Sequence, residues 1–224
     1  MTTLTIDIWS DVMCPWCLVG WGNLRQALDT LDGEIAAEIR WRPFELNPDM
    51  PAEGEEQEAH LRRKYGRSAA DGQAVRERMR TMAAEADVSL EWQGEGEPPP
   101  AMMWNTFAAH RLLAWALESA GPERQTALKL ALFRAHFNHR RRVGEESVLL
   151  DIVEEAGLDR VAARVALDEE ALSSRVRAEQ RQAFDLNITG VPAMVVAGKF
   201  LIPGAQPAET YVNALRRVAA KAQG

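Results

Sequence analysis

The chain has 224 residues and a mass of 24.9 kDa. A chain of that size buries about 70% of its unfolded surface, in one large domain or a small domain carrying an insertion. A hydrophobic fraction of 46% beside 26% charged residues excludes disordered, collagenous and fibrous classes. No apolar run approaches the roughly 18 residues that cross a bilayer, and a net charge of −7 argues against nucleic-acid or membrane-surface binding as the main task.

Met1 to Asp7 shows no basic segment followed by a long apolar one, so the expected compartment is the cytoplasm. Leu4, Ile6 and Ile8 alternate with polar residues and predict a first strand. Cys17, Trp21, Leu24, Leu28 and Leu31 then share one helix face, and Gly33 closes that helix. Ile35, Ala37, Ile39 and Trp41 alternate again, which predicts a parallel strand–helix–strand unit. From Ala52 to Leu186 the pattern is mostly helical, with breaks near Gly66, Val88 to Gly96, Pro98–Pro100, Gly121–Pro122, Arg142–Gly144 and Gly157. Glu53 to Glu58 reads as the acidic first turn of a helix, Trp104 to Ala120 as a buried helix, and Asp159 and Asp168 as helix N-caps. Ala193–Ala197 and Phe200–Ile202 predict a hairpin turning at Gly198–Lys199, and Pro207 opens a last helix with Tyr211, Leu215 and Val218 on one face. Neither end holds enough strands for a sheet alone. The two ends are therefore expected to pair across the helical block, with 1–50 and 185–224 as one discontinuous domain and 51–184 as a helical insertion.

The only two cysteines stand in Cys14-Pro15-Trp16-Cys17, directly after the first strand. That count excludes a disulfide scaffold. A zinc half-site would need two more ligands, and His60, His110, His136 and His139 are not spaced to supply them. With Cys14 as N-cap and Pro15 at N1, the Trp16 and Cys17 amides and the helix dipole point at the Cys14 sulfur. The expectation is a thiolate at Cys14 and a shielded thiol at Cys17, the asymmetry that dithiol exchange uses. A pKa drop from about 8.5 to about 5 would raise the thiolate fraction at neutral pH roughly thirtyfold. A Brønsted slope of about 0.45 removes nucleophilicity by a similar factor. The gain therefore lies in Cys14 as leaving group and in the stability of the reduced pair. Trp16 brings no cation, which predicts a less oxidising centre than a histidine there would give. Asp11 is placed to order the turn, although its charge opposes ionisation of Cys14.

Gly190-Val191-Pro192 precedes the third long strand. Proline cannot donate to a sheet ladder, so Pro192 marks a turn or edge. A cis Val191–Pro192 bond would leave the Val191 amide and carbonyl free for an extended substrate beside the active sulfur, with Pro15 and Trp16 completing the contact surface.

Together with Ser10 to Cys17, the segments Pro43 to Met50, Asn105-Thr106 with Ala109 to Leu112, Thr189 to Pro192 and Gly204 to Pro207 resemble the FrnE-type branch of the DsbA thioredoxin-like superfamily, in the same order along the chain. The resemblance implies an α/β, thioredoxin-like fold with a large helical insertion, disulfide exchange with protein or small-molecule thiols, Cys14 as nucleophile, Cys17 as resolving thiol and a cis Pro192. It implies no metal or organic cofactor, with glutathione a possible thiol partner, and either a monomer or a homodimer. The same superfamily holds 2-hydroxychromene-2-carboxylate isomerases and kappa-class glutathione transferases. These usually have serine where Cys14 stands, and Ser and Asp where Ala205 and Gln206 stand; both departures favour thiol exchange. A glutathione-dependent isomerase or transferase is the alternative, and a chaperone using an apolar groove a third reading. Asn138-His139-Arg140-Arg141-Arg142 departs from the family's acidic glycine turn, and His139 to Arg142 have no assigned role. Trp104, Asn105 and Thr106 are candidates for the groove wall, Phe44 and Leu46 for the core, and His136 and His139 for polar surface.

Overall fold

Leu4, Ile6 and Ile8 are buried along β1 (Thr2–Ser10), and Ile35, Ile39 and Trp41 along β2 (Ile35–Pro43), so the period-two pattern of each strand is a burial pattern. A computed structural model describes the chain over residues 1–66 and 69–222. β1 and β2 are parallel, from Thr2 opposite Ile35 to Ser10 opposite Pro43, joined by α1 (Pro15–Thr30). The C-terminal strands β5 (Ala193–Val196) and β6 (Phe200–Pro203) complete a mixed sheet in the order β2-β1-β5-β6. β5 lies antiparallel to β1, from Ile6 opposite Val196 to Trp9 opposite Ala193. The two ends of the chain therefore do meet in one sheet, because a two-strand unit cannot bury a face by itself. α8 (Ala208–Ala222) packs Tyr211, Leu215 and Val218 against the core that α1 also covers.

Between the sheet halves lie β3 (Glu55–Glu56), α2 (Gln57–Tyr65), α3 (Ala69–Glu85), β4 (Met102–Met103), α4 (Phe107–Phe137), α5 (Glu146–Glu155), α6 (Arg160–Leu167) and α7 (Glu170–Asp185). α4 spans a break at Gly121, whose φ of 85° and ψ of 176° leave the helical region just before Pro122. Its second half runs along the open edge of β2. There the Gln125 side chain accepts from the Trp41 amide at 2.8 Å and donates to the Trp41 carbonyl at 2.8 Å and to the Leu113 carbonyl at 3.1 Å. One glutamine thus extends the ladder where no strand follows.

Four local expectations change. Glu55 and Glu56 pair with Met103 and Met102, so the acidic run enters a short strand before the helix begins. The pattern there is too short for a period to show. The buried helix predicted from Trp104 starts at Phe107, after Asn105 Oδ1 accepts from the Phe107 amide. Asp159 caps α6 through the Val161 and Ala162 amides, but Asp168 ends α6 in a helical conformation and pairs with Arg164; Glu169 is the N-cap of α7. The hairpin turn takes three residues, Ala197, Gly198 and Lys199, where two were predicted, with Ala197 and Gly198 both at positive φ and Val196 opposite Phe200.

Candidate active site

Cys14 is the N-cap of α1, in extended conformation, and Pro15 opens the helix as predicted. Cys17 lies one turn further in. Both cysteines are unbonded and almost fully covered, at 2% and 1% exposure. The difference between them is access. Cys14 lines a cavity of about 350 Å³ together with Met13, Pro15, Trp16 and Val191, whereas Cys17 does not reach it. The outer walls come from α2 and α3 through Leu61 and Met79, and from Leu46 after β2.

The Val191–Pro192 peptide is cis, and the Cys14 thiol donates to the Val191 carbonyl at 3.7 Å. Pro192 itself is buried one residue behind the cavity wall. It packs on Gly20 of α1, where an added Cβ would stand 3.0 Å from the proline ring. The Tyr211 hydroxyl braces the following turn, donating to the Gly204 carbonyl at 3.1 Å and accepting from the Gln206 amide at 3.2 Å. Burial pushes this phenol up to about 12.

Asp11 orders the turn before Cys14, accepting from the Met13 amide at 3.4 Å and the Leu46 amide at 2.8 Å. Its other neighbour is His110, with Nε2 3.7 Å from Oδ1. Burial pushes Asp11 up, but His110 and the Leu46 amide outweigh it and hold the carboxyl below its ordinary value. Its charge raises the Cys14 thiol, as expected from the sequence.

The expected charge distribution between the cysteines is not the one found. The hydrogen bond with Cys17, then burial, push Cys14 well above an ordinary thiol, although the Cys17 amide works the other way. Burial also raises Cys17, but the hydrogen bond from Cys14, the charge of Lys129 and the Ser10 hydroxyl bring it below. The reduced pair therefore loses its first proton readily and its second with difficulty. The anion rests toward Cys17, because the Cys14 thiol donates to that sulfur and the charge of Lys129 adds to the effect. The cation that the Cys-Pro-Trp-Cys motif lacks comes from Lys129 of α4, a residue the sequence reading passed over inside an apolar run. Gln125, Lys129 and His136 recur at spacings of four and seven on one buried stripe of α4, and that polar stripe was the available signal.

His60 was also missed as a neighbour of the cavity. It is buried against it, with Nδ1 2.7 Å from Glu55, whose carboxyl Arg63 clasps at 3.0 and 2.6 Å. Arg63 and then His60 hold Glu55 down at about 2. Asn105 does not line the cavity that holds Cys14, whereas Trp104 lines a neighbouring cavity that shares Pro15, Gln57, Arg76 and Met79 with it. The Trp104 amide donates to Met13 Sδ at 3.0 Å, and Asn105 Nδ2 to the Met50 carbonyl at 3.1 Å. His136 is buried rather than on the surface, while His139 is exposed. The arginines beside it are occupied: Arg140 by the Pro99 carbonyl, Arg141 by Glu155 and Arg142 by Glu145. Among the described residues no group of three His, Cys, Asp or Glu side chains could hold a metal ion.

A parallel pair of strands joined by a helix, a returning antiparallel hairpin, two cysteines one helical turn apart and a cis-proline facing the first of them define a thioredoxin-like protein. The DsbA-like thioredoxin domain matches residues 5–216, and the chain belongs to that family. A probable DsbA oxidoreductase from Streptomyces coelicolor is 31% identical, with a TM-score of 0.83 over 96% of this chain and 89% of that one. The uncharacterized protein YwbO of Bacillus subtilis strain 168 is 26% identical over 215 residues, covering 95% of this chain and 96% of that protein. A 2-hydroxychromene-2-carboxylate isomerase shares the fold, with a TM-score of 0.65 at 18% identity over 98% of each chain. No described helix is long and apolar enough to cross a membrane.

Proposed function

We propose that the protein is a cytoplasmic thiol-disulfide oxidoreductase that exchanges disulfides with protein or small-molecule thiols through Cys14 and Cys17. The observation that carries this reading is the placement of Cys14 in the cavity wall beside the Val191 carbonyl, with Cys17 one turn behind it and out of reach. Cys14 passes its proton to Cys17 as it attacks a substrate disulfide. A Cys14–substrate bond forms and the first substrate thiolate leaves. Cys17 gives that proton up to the released substrate thiolate and attacks the Cys14 sulfur as thiolate; the internal disulfide forms and the second substrate thiolate leaves. Pro15, Trp16 and Val191 contact the substrate; Pro192 fixes the Val191 carbonyl from behind. The two sulfurs and a recycling thiol, with glutathione a candidate, are all the chemistry this requires.

The test is insulin reduction and reactivation of scrambled ribonuclease by the intact protein and two variants. Cys14→Ser should lose both activities. Cys17→Ala should accumulate a mixed disulfide on Cys14, visible as a mass increase that dithiothreitol removes. Glutathione conjugation or isomerisation that survives in Cys17→Ala, without trapped mixed disulfide, would instead favour a glutathione-dependent isomerase or transferase, a reading that the isomerase-like fold also fits. An intact protein inert toward both substrates would remove the proposal.

A further inference from the structure

Lys129 is fully buried, at 0% exposure, and its ammonium nitrogen has no hydrogen-bond partner among the described residues. An unpaired ammonium is among the costliest groups a core can hold, and a methionine would fill similar space without that cost. Its position is well defined. The nitrogen lies 5.3 Å from the Trp41 ring centre and 4.8 Å from that of Phe133. Trp41 is itself fixed by Gln125 on its backbone and by Thr126, whose hydroxyl accepts from the indole at 3.0 Å. Trp41, Phe133, Cys14 and Cys17 belong to one buried cluster. The negative groups acting on Lys129 are Cys17, Asp11 and Cys14. The remaining ionisable groups of this region are His110, which acts on Asp11, His136, which feels Asp11, and Tyr211 of α8, which feels Cys17.

We propose that Lys129 is a positioning residue of the dithiol: its charge, delivered from α4 into the buried cluster that also holds both cysteines, keeps the reduced pair as a single thiolate, and its proton leaves when that thiolate is consumed. This rests on the exchange reaction proposed above. The reduced site holds one proton on the two sulfurs and one on Lys129, and is neutral as a unit. When the site reduces a substrate disulfide, the Cys14–Cys17 bond forms and the substrate S–S bond breaks. Two electrons pass to the substrate sulfurs. The shared sulfur proton and the Lys129 proton, the latter by way of solvent, convert them to two thiols. The oxidised site is left with a disulfide and a neutral amine. Burial already brings Lys129 down to about 8 in the reduced protein, and losing the thiolate removes the largest influence holding it up.

The experiment compares intact protein with Lys129→Met. Thiolate absorbance at 240 nm is followed against pH in the reduced proteins, and the dithiol is equilibrated with reduced and oxidised glutathione. Removing the charge should move the first thiol titration up by about one pH unit and shift the glutathione equilibrium about tenfold toward the protein disulfide. A second measurement needs no variant. The chain has four lysines, so NMR titration of labelled lysine side chains can follow Lys129 in each redox state. Its midpoint should fall on oxidation. An unchanged thiol titration in Lys129→Met, or a Lys129 midpoint equal in both states, overturns the inference. Failure of the intact protein to exchange with insulin would remove the exchange reading while leaving the lysine–thiol coupling measurable.

Discussion

Lys129 and His136 are one buried stripe of α4 with the same electrostatic problem and different outcomes. Burial lowers Lys129 from 10.5 to about 8, so below pH 8 the fold carries a charge it would be more stable without. Between about 8 and 10.5 the unfolded chain binds a proton that the folded chain has released, and native stability rises with pH across that window. Lys129→Met should therefore be more stable than the intact reduced protein by about 3 kcal/mol at pH 7, an advantage that vanishes near pH 10.5. Urea denaturation at both pH values checks this. A lysine kept only for packing would give the opposite sign at neutral pH. At this scale the sequence showed Cys14, Cys17, Pro15 and Asp11 correctly placed, because their positions follow from a helix start. It did not show where the thiol proton rests. That depends on the hydrogen bond between the two thiols and on a cation 112 residues beyond Cys17 along the chain, which only packing brings near.

The second half of α4 is the element that carries this cation, and Gln125 ties it to the sheet. β2 is an edge strand, and its Trp41 amide and carbonyl would otherwise face an apolar helix without partners. Gln125→Leu should cost about 2–4 kcal/mol in chemical denaturation by leaving both groups buried and unsatisfied. It should also loosen the lysine one turn further on and move the thiol titration in the same direction as Lys129→Met. A stability equal to the intact protein would show that water replaces the side chain. Elements with a clean period were legible: β1, β2, α1 and α8 each bury the face their spacing marked. β3 and β4 were not, since two-residue strands have no period and are held by partners 46 and 48 residues apart. Asp168 misled because an aspartate at a helix boundary can cap either neighbour. The Arg164 ion pair and a helical backbone place it at the end of α6.

Across the molecule, the helical block and the sheet meet around buried polar groups, and this sets the acid limit of the fold. His136 is lowered by burial from 6.5 to about 4, so it folds neutral. Its folded value lies below its unfolded one, so its full stability is present above pH 6.5 and is lost as pH falls toward 4, by about 3 kcal/mol. His136→Leu should flatten the thermal stability profile between pH 6.5 and 4, as followed by circular dichroism; an unchanged slope would place the acid sensitivity elsewhere. The sequence by itself determined the order of the longer elements, the pairing of the chain's two ends and the cysteine pair at a helix tip. These depend on short-range periodicity and on the geometry of a strand entering a helix. Only the tertiary structure decided that a buried cation acts on the cysteine pair and how the β2 edge is closed. The reason is physical: local pattern fixes which face of an element is apolar, whereas burial and the field at a sulfur are set by groups that folding brings together from distant parts of the chain.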